Sequence, residues 1–122
     1  MDQSVQQSDQ AALDLESLKE RCMGNLALVE RVLAKFTGQL ENDLDALEQA
    51  IETNNADQAV RLTHRIKGTA GSVSARHLYV NASLAEQRAQ DKQVAELTSD
   101  LARMRIDRLE LVETIERIKL GA

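Results

Sequence analysis

The chain has 122 residues, enough for one domain built around one core, and 43% of them are hydrophobic. The net charge is −5 and basic residues are interleaved with acidic ones, which excludes the basic stripe of a nucleic-acid-binding protein. Aromatic residues make up only 2%, and proline and tryptophan are absent, which favours a helical bundle with a core of Leu, Ile, Val and Ala.

Cysteine and histidine, which form disulfides and most zinc sites, are scarce in this chain. Cys22 is the only cysteine, so an intramolecular disulfide and a cysteine-based zinc site are excluded, and we expect it to be buried at the end of a helix. With two histidines in all, we expect no dedicated metal site. No apolar run approaches the ~20 residues that span a bilayer, and no signal peptide is recognisable, so we expect a cytoplasmic protein without direct membrane contact.

The chain opens with a polar stretch rich in Gln and Ser, residues 1–10, which we interpret as a flexible lead-in or linker before a domain over residues 11–122. A short first helix should follow, with Gly24 ending it and Asn25 capping the second helix. The second helix is long and amphipathic. Its apolar residues recur at spacings of three and four: Leu26, Val29, Leu33, Phe36, Leu40, Leu44, Leu47 and Ile51.

A third helix is predicted over about residues 56–71, after a polar break. The turn that follows contains Ser74, the predicted N-cap of a fourth helix over about residues 75–89. The inner face of the fourth helix is made mostly of small residues, which allows close packing. It carries Leu78, Ala82, Ala85 and Ala89.

A polar loop separates the fourth helix from a fifth that starts near Val94. Arg108 interrupts the apolar stripe of the fifth helix, whereas Leu109 and Val112 widen it. Strand patterns are absent. We therefore predict an all-α fold, an antiparallel up-down-up-down four-helix bundle with an additional short N-terminal helix.

The third helix carries the most informative residues. Three others fall within the same narrow stripe as His64, at about 100° per residue: Lys67, Gly68 and Gly71. Gly68 lies well inside the helix, where a glycine costs roughly 1 kcal/mol relative to alanine. The stripe is opposite the apolar residues of this helix, so His64 is predicted to point outward, beside a lysine and two uncrowded backbone positions that another protein can approach.

The stretch from His64 to Ala75 resembles the motif of histidine-containing phosphotransfer (HPt) domains of bacterial multistep phosphorelays. In that motif a histidine is followed by Lys-Gly three and four residues later, and then by small residues and an aliphatic residue. Ser74 departs from it, because the family usually has glycine at this turn. The resemblance extends more loosely from about Leu13 to Leu120, in length, helix order and loop positions.

The resemblance implies a phosphorelay intermediate. His64 would accept a phosphoryl group from the aspartate of a receiver domain, which supplies its own Mg²⁺, and pass it to the aspartate of a response regulator. Lys67 would offset charge on the phosphoryl oxygens, and Gly68 and Gly71 would let the receiver approach. The expected partners are receivers of a hybrid sensor kinase or a response regulator, and we expect a monomer, either free-standing or the cytoplasmic C-terminal module of a membrane-bound sensor kinase.

A hydrogen-bonding partner for His64 is expected from the fourth helix. Glu86 and Gln87 are both level with it, and we favour Gln87 because an amide does not repel phosphate. Arg61 and Arg65 flank the histidine and are candidates for contact with an acidic receiver surface.

Other functions are weighed against the phosphorelay. There is no phosphate-binding loop of the P-loop type, so we expect no ATP binding and no autonomous kinase activity. His77 has no Lys-Gly at the right spacing and is interpreted as a structural or surface residue. The alternative function is a non-catalytic helical adaptor, docking or oligomerisation module, because the long apolar stripes would also suit coiled-coil pairing.

Overall fold

The computed structural model describes residues 12–121, so the predicted lead-in, residues 1–10, lies outside the described residues. Within them the chain is helical and contains no β-strand. The elements follow in chain order as α1 (Leu15–Arg21), α2 (Leu26–Glu52), α3 (Ala56–Ser72), α4 (Arg76–Gln90), a 3₁₀ turn (Val94–Glu96) and α5 (Leu97–Gly121). The predicted all-helical fold is confirmed, and the helix bounds agree closely with those predicted, except that a 3₁₀ turn precedes the fifth helix.

The starts of α2 and α3 have side-chain caps. Oδ1 of Asn25 accepts a hydrogen bond from the backbone N–H of Leu28 at 3.0 Å, and Oδ1 of Asn55 accepts one from Gln58 at 3.0 Å. Each asparagine satisfies one of the backbone donors that the first helical turn leaves free. The predicted role of Asn25 as a cap is therefore confirmed.

The first four helices all end in the same way, with a left-handed residue after the last turn. These residues are Met23, Asn54, Ser74 and Lys92, with φ of 57°, 52°, 63° and 61°. The next residue then donates its N–H back across the turn, as Ala75 does to the carbonyl of Ala70 at 2.9 Å. This is the Schellman arrangement, which usually places glycine at the left-handed position.

The prediction that Ser74 caps the fourth helix is wrong. The N-cap is Ala75, which has no side chain able to cap, and Ser74 is the left-handed residue one position earlier. The hydroxyl of Ser74 instead donates to Ser17 Oγ at 3.1 Å, and its carbonyl accepts from Asp14 N–H at 2.9 Å. Both contacts fasten the segment around α1 to the turn between α3 and α4.

One core lies among the four long helices, because α3 packs on both α2 and α4, and α5 packs on both α4 and α2. The predicted small-residue face of α4 is confirmed, since its four residues are at most 1% exposed. Cys22 is a free thiol, buried next to the end of α1, as expected. Two apolar residues assigned to the buried stripes are instead exposed, Leu26 by 38% and Leu109 by 58%.

Several polar residues are buried among the helices, which the apolar pattern did not predict. Asp100 is fully buried, and its two oxygens lie 2.9 Å from Arg88 Nε and 2.9 Å from Arg103 Nη2. Arg108, which interrupts the apolar stripe of α5, has a polar partner at this position. Its Nε donates to the backbone carbonyl of Thr37 on α2 at 2.9 Å. Burial raises the pKa of the Asp107 carboxyl, an effect that the hydrogen bond from Asn81 partly offsets.

None of the helices in the described part of the chain combines the length and the apolar content needed to cross a membrane.

Candidate active site around His64

His64 lies on the solvent-facing side of α3, and its side chain is 73% exposed. The opposite side of α3 is anchored in the core by buried residues at helical spacing: Ala59, Leu62, Thr63, Ile66 and Ala70. Because these buried residues occupy the other side of α3, the His64 side chain cannot point into the core, and the predicted outward orientation agrees with the structure.

The carboxylate of Glu86 on α4 holds the His64 ring. Nδ1 of His64 lies 2.8 Å from Oε2 of Glu86, whose side chain is only 11% exposed. A carboxylate accepts hydrogen bonds, so the proton of a neutral imidazole belongs on Nδ1 in this pair. The Nε2 lone pair then remains free on the exposed side of the ring.

The preference for Gln87 as the partner of His64 is corrected. Gln87 is exposed and its Nε2 donates along its own helix to Oδ1 of Asp91 at 3.5 Å. Successive residues of a helix differ by about 100° in direction, so Glu86 and Gln87 cannot both face α3. Glu86 is the one on the flank of α4 that packs against α3.

Lys67 contacts the same carboxylate as His64. Its Nζ lies 3.6 Å from Oε1 of Glu86, while the other carboxylate oxygen of Glu86 contacts Nδ1 of His64. The lysine side chain is 34% exposed, so its ammonium group can still reach outward. One buried carboxylate therefore gathers the histidine and the lysine of the predicted motif at one place.

Tyr79 belongs to this group and was not predicted from the sequence. The Lys67 ammonium lies 5.9 Å from the centre of the Tyr79 ring, a cation–π distance. Tyr79 and Glu86 are seven residues apart on α4 and so share one face. In the sequence, the seven-residue spacing between Tyr79 and Glu86 could have placed Tyr79 on the face of α4 that packs against the helix of His64.

The two glycines of the motif differ in what surrounds them. A Cβ added at Gly71 would lie 3.5 Å from the Tyr79 ring, an ordinary contact, whereas one added at Gly68 would meet nothing within 4 Å. Internal packing therefore does not require glycine at residue 68, which is exposed on the same face as His64. The bare backbone there matters only to something that approaches from outside.

The two arginines beside His64 are already engaged within the domain. Arg65 binds Asp43 on α2, with Nη2 2.7 Å from Oδ1, and this hydrogen bond and the charge of Asp43 raise the pKa of Arg65. Arg61 donates to Oε1 of Gln58 at 2.6 Å on its own helix. Arg65 therefore fastens α3 to α2, and Arg61 is the freer of the two for contact with a partner.

Comparison with known proteins identifies the family of the chain. The family model described as "Hpt domain" matches residues 31–119, which include His64, Lys67 and Glu86. The chain belongs to the Hpt domain family. Membership implies a histidine phosphotransfer role in phosphorelays, in which these domains interact with receiver domains. Comparisons with curated proteins and with solved structures found no match.

Proposed function

We propose that His64 is the phosphoacceptor of this domain, taking a phosphoryl group from a receiver aspartate and passing it to the aspartate of a response regulator. The observation that carries this proposal is the 2.8 Å pair between His64 Nδ1 and Glu86, which leaves Nε2 exposed as the nucleophile. No other histidine among the described residues combines such exposure with a lysine at the same carboxylate.

The chemistry follows from this geometry. The Nε2 lone pair attacks the phosphorus in line, the N–P bond forms, and the P–O bond to the aspartate of the receiver breaks. Positive charge develops on the imidazole as the bond forms, and the Glu86 carboxylate at Nδ1 stabilises it. Lys67 shifts from Glu86 towards the phosphoryl oxygens. The receiver supplies Mg²⁺ for its own phosphoaspartate, and the domain contributes none.

The surface next to His64 suits a docking receiver. Gly68 offers bare backbone on one side of the histidine. On α4 three apolar side chains are 43–56% exposed: Tyr79, Val80 and Leu84. Apolar side chains around an uncrowded nucleophile give a partner an area to bury when it approaches.

The proposed carrier is a monomeric, antiparallel up-down-up-down bundle. The cross-helix contacts support the direction of α4 and α5, since residue numbers rise on one helix as they fall on the other. These contacts join Arg88 to Asp100, Asn81 to Asp107 and His77 to Glu110. Sedimentation analysis tests the monomer, and a stable oligomer would favour the adaptor function instead.

The test is phosphoryl transfer from a phosphorylated receiver domain to the wild type, His64→Gln and His77→Gln, with the phosphate mapped by mass spectrometry under non-acidic conditions. We expect phosphate on His64 in the wild type and in His77→Gln, and none in His64→Gln. Because His64 is exposed, His64→Gln should unfold at the wild-type temperature. Transfer to His64→Gln at the wild-type rate would reject the assignment.

A further inference from the structure

The second histidine lies in a polar cluster between α4 and α5. One ligand atom from each of three residues, His77, Asp107 and Glu110, lies within 4.8 Å of the other two. Nδ1 of His77 is 3.3 Å from Oε1 of Glu110. The sequence hides this cluster, because His77 and the two acids are about 30 residues apart and meet only when the helices pack.

Asp107 is the member of the cluster that calls for a cation. Its residue is only 6% exposed, and its Oδ2 accepts a hydrogen bond from the neutral amide of Asn81 at 2.7 Å. No lysine or arginine nitrogen of the described residues lies within 4.0 Å of its carboxylate. Burial of a carboxylate without a cationic partner is costly.

The other buried acids of the described region each have such a partner. Asp43 pairs with Arg65 at 2.7 Å, and Asp100 pairs with Arg88 at 2.9 Å. Glu86 has the Lys67 ammonium at 3.6 Å. Asp107 differs from these three acids, because it faces the His77 imidazole and the Glu110 carboxylate instead of a lysine or arginine.

We propose that His77, Asp107 and Glu110 bind a divalent transition-metal ion, with Zn²⁺ as the best match. One imidazole nitrogen and two carboxylate oxygens form a donor set that suits Zn²⁺, whereas Mg²⁺ and Ca²⁺ prefer oxygen alone. The hydrogen bond from Asn81 fixes the orientation of Asp107, as supporting residues do around metal ligands.

The cluster is open to a metal ion from solvent. The side chains of His77 and Glu110 are 41% and 42% exposed, and both line a surface groove whose other charged residues are Asp14, Glu16, Glu113 and Arg117. The acidic groove attracts a cation, and its open side leaves room for water as a further ligand. A bound ion would join α4 to α5.

This site is separate from the one around His64. Residues 77 and 86 of α4 are nine residues apart, about 14 Å along the helix axis. The two sites share no residue, so the metal site does not depend on the proposed phosphotransfer. Its expected effect is on the stability of the α4–α5 pair.

Titration calorimetry with Zn²⁺ on the full chain, freed of metal by a chelator, tests the site at pH 7.5. The variants are His77→Ala, Asp107→Asn and the matched control His64→Ala, because His64 also contacts a glutamate but has no second carboxylate beside it. We expect one Zn²⁺ per chain in the wild type and in His64→Ala. His77→Ala and Asp107→Asn remove direct ligands, so each should weaken binding by more than the ~10- to 100-fold that loss of a supporting residue costs.

Asp107→Asn preserves the size of the side chain, and circular dichroism of each variant checks that the helices are formed. Zn²⁺ should also raise the unfolding temperature of the wild type but not that of His77→Ala. The proposal is overturned if the wild type shows no saturable Zn²⁺ binding, or if His77→Ala and Asp107→Asn both bind as the wild type does. Loss of binding in His64→Ala would also overturn it, because the ion would then lie at His64.

Discussion

At the scale of single residues, Glu86 organises the candidate active site. One of its oxygens contacts Nδ1 of His64 and the other lies near the Lys67 ammonium. A single buried carboxylate therefore sets the orientation of the His64 ring and keeps the lysine close to it. The side-chain amide of Gln87, which the sequence favoured as the partner of His64, would not have repelled phosphate. In the proposed transfer the Glu86 carboxylate has a different advantage, since its full charge would stabilise the imidazole as it becomes positive.

Replacing Glu86 should therefore slow phosphoryl transfer to His64. We expect Glu86→Ala to reduce the rate by about 10- to 100-fold. The His64 ring would lose its orientation, and the positive charge that develops on the imidazole would lose the carboxylate that stabilises it. Glu86→Gln should lose less, since its amide oxygen still accepts from Nδ1. Stopped-flow or quenched transfer assays give the rates, and NMR of the phosphorylated protein should place the phosphate on Nε2. A rate for Glu86→Ala equal to that of the wild type would remove Glu86 from the mechanism.

Gly68 and Gly38 form a matched pair for testing the docking surface. Both are exposed inside helices, and a Cβ at either position meets nothing within 4 Å. Gly68→Leu and Gly38→Leu should each stabilise the fold by about 0.5–1 kcal/mol, because leucine favours helix more than glycine does. Only Gly68→Leu should slow transfer, by about tenfold, through obstruction of the receiver. Chemical denaturation and transfer rates provide the two readouts, and equal rates in both variants would argue against docking at Gly68.

At the scale of the elements, the helix ends carry backbone strain that the sequence could have avoided. Met23, Ser74 and Lys92 adopt left-handed φ values, in which L-residues with a Cβ are disfavoured by roughly 1 kcal/mol. Glycine removes that cost. The turn at Ser74 is where the family usually has glycine, and the left-handed φ supplies the reason for that preference.

Two substitutions separate strain from side-chain contacts. Lys92 is exposed and its side chain makes no hydrogen bond within the described residues, so Lys92→Gly should stabilise the fold by about 0.5–1 kcal/mol and keep the backbone bond to Ala89. Ser74→Gly should change stability little, because relief of strain is offset by loss of the bond to Ser17. Urea denaturation of both variants, with Lys92→Ala as a control that keeps the strain, measures the difference. An equal gain at both positions would mean that the Ser74–Ser17 bond contributes nothing.

At the scale of the whole molecule, ion pairs between helices supplement a core that is poor in aromatic residues. Arg65 joins α3 to α2 through Asp43, and Arg88 joins α4 to α5 through Asp100. Asp100 is fully buried, so the cost of taking its charge out of water must be balanced by Arg88 and Arg103. These pairs constrain which helices meet and at which residues.

Arg88→Met should destabilise the bundle by about 2–3 kcal/mol. Breaking a buried pair typically costs about 3–5 kcal/mol, and the smaller figure reflects the contact that Arg103 keeps with Asp100. The double variant Arg88→Met with Asp100→Leu should recover much of the loss, because no unpaired charge remains. Thermal and denaturant unfolding measure both, and an Arg88→Met variant as stable as the wild type would show that Asp100 does not need this partner.

The helices were predictable because local rules determine them. The apolar periodicity gave the extent of α2, the pair Gly24 and Asn25 gave the boundary before it, and the phase of α3 placed His64 outward. The same rules failed at Leu109, since periodicity cannot tell a core-facing residue from one at the edge of the stripe. They failed at Ser74 because its φ, not its hydroxyl, determines its position in the turn.

The sequence by itself determined the helical class and the exposed His-Lys-Gly face, since both depend on residues within a few positions of one another along the chain. Only the tertiary structure decided between Glu86 and Gln87, brought Tyr79 to Lys67, and assembled His77 with Asp107 and Glu110. Each of these contacts joins two helices, and the relative rotation of packed helices depends on the whole core. A side chain's partner across that interface cannot be counted from spacing along one helix.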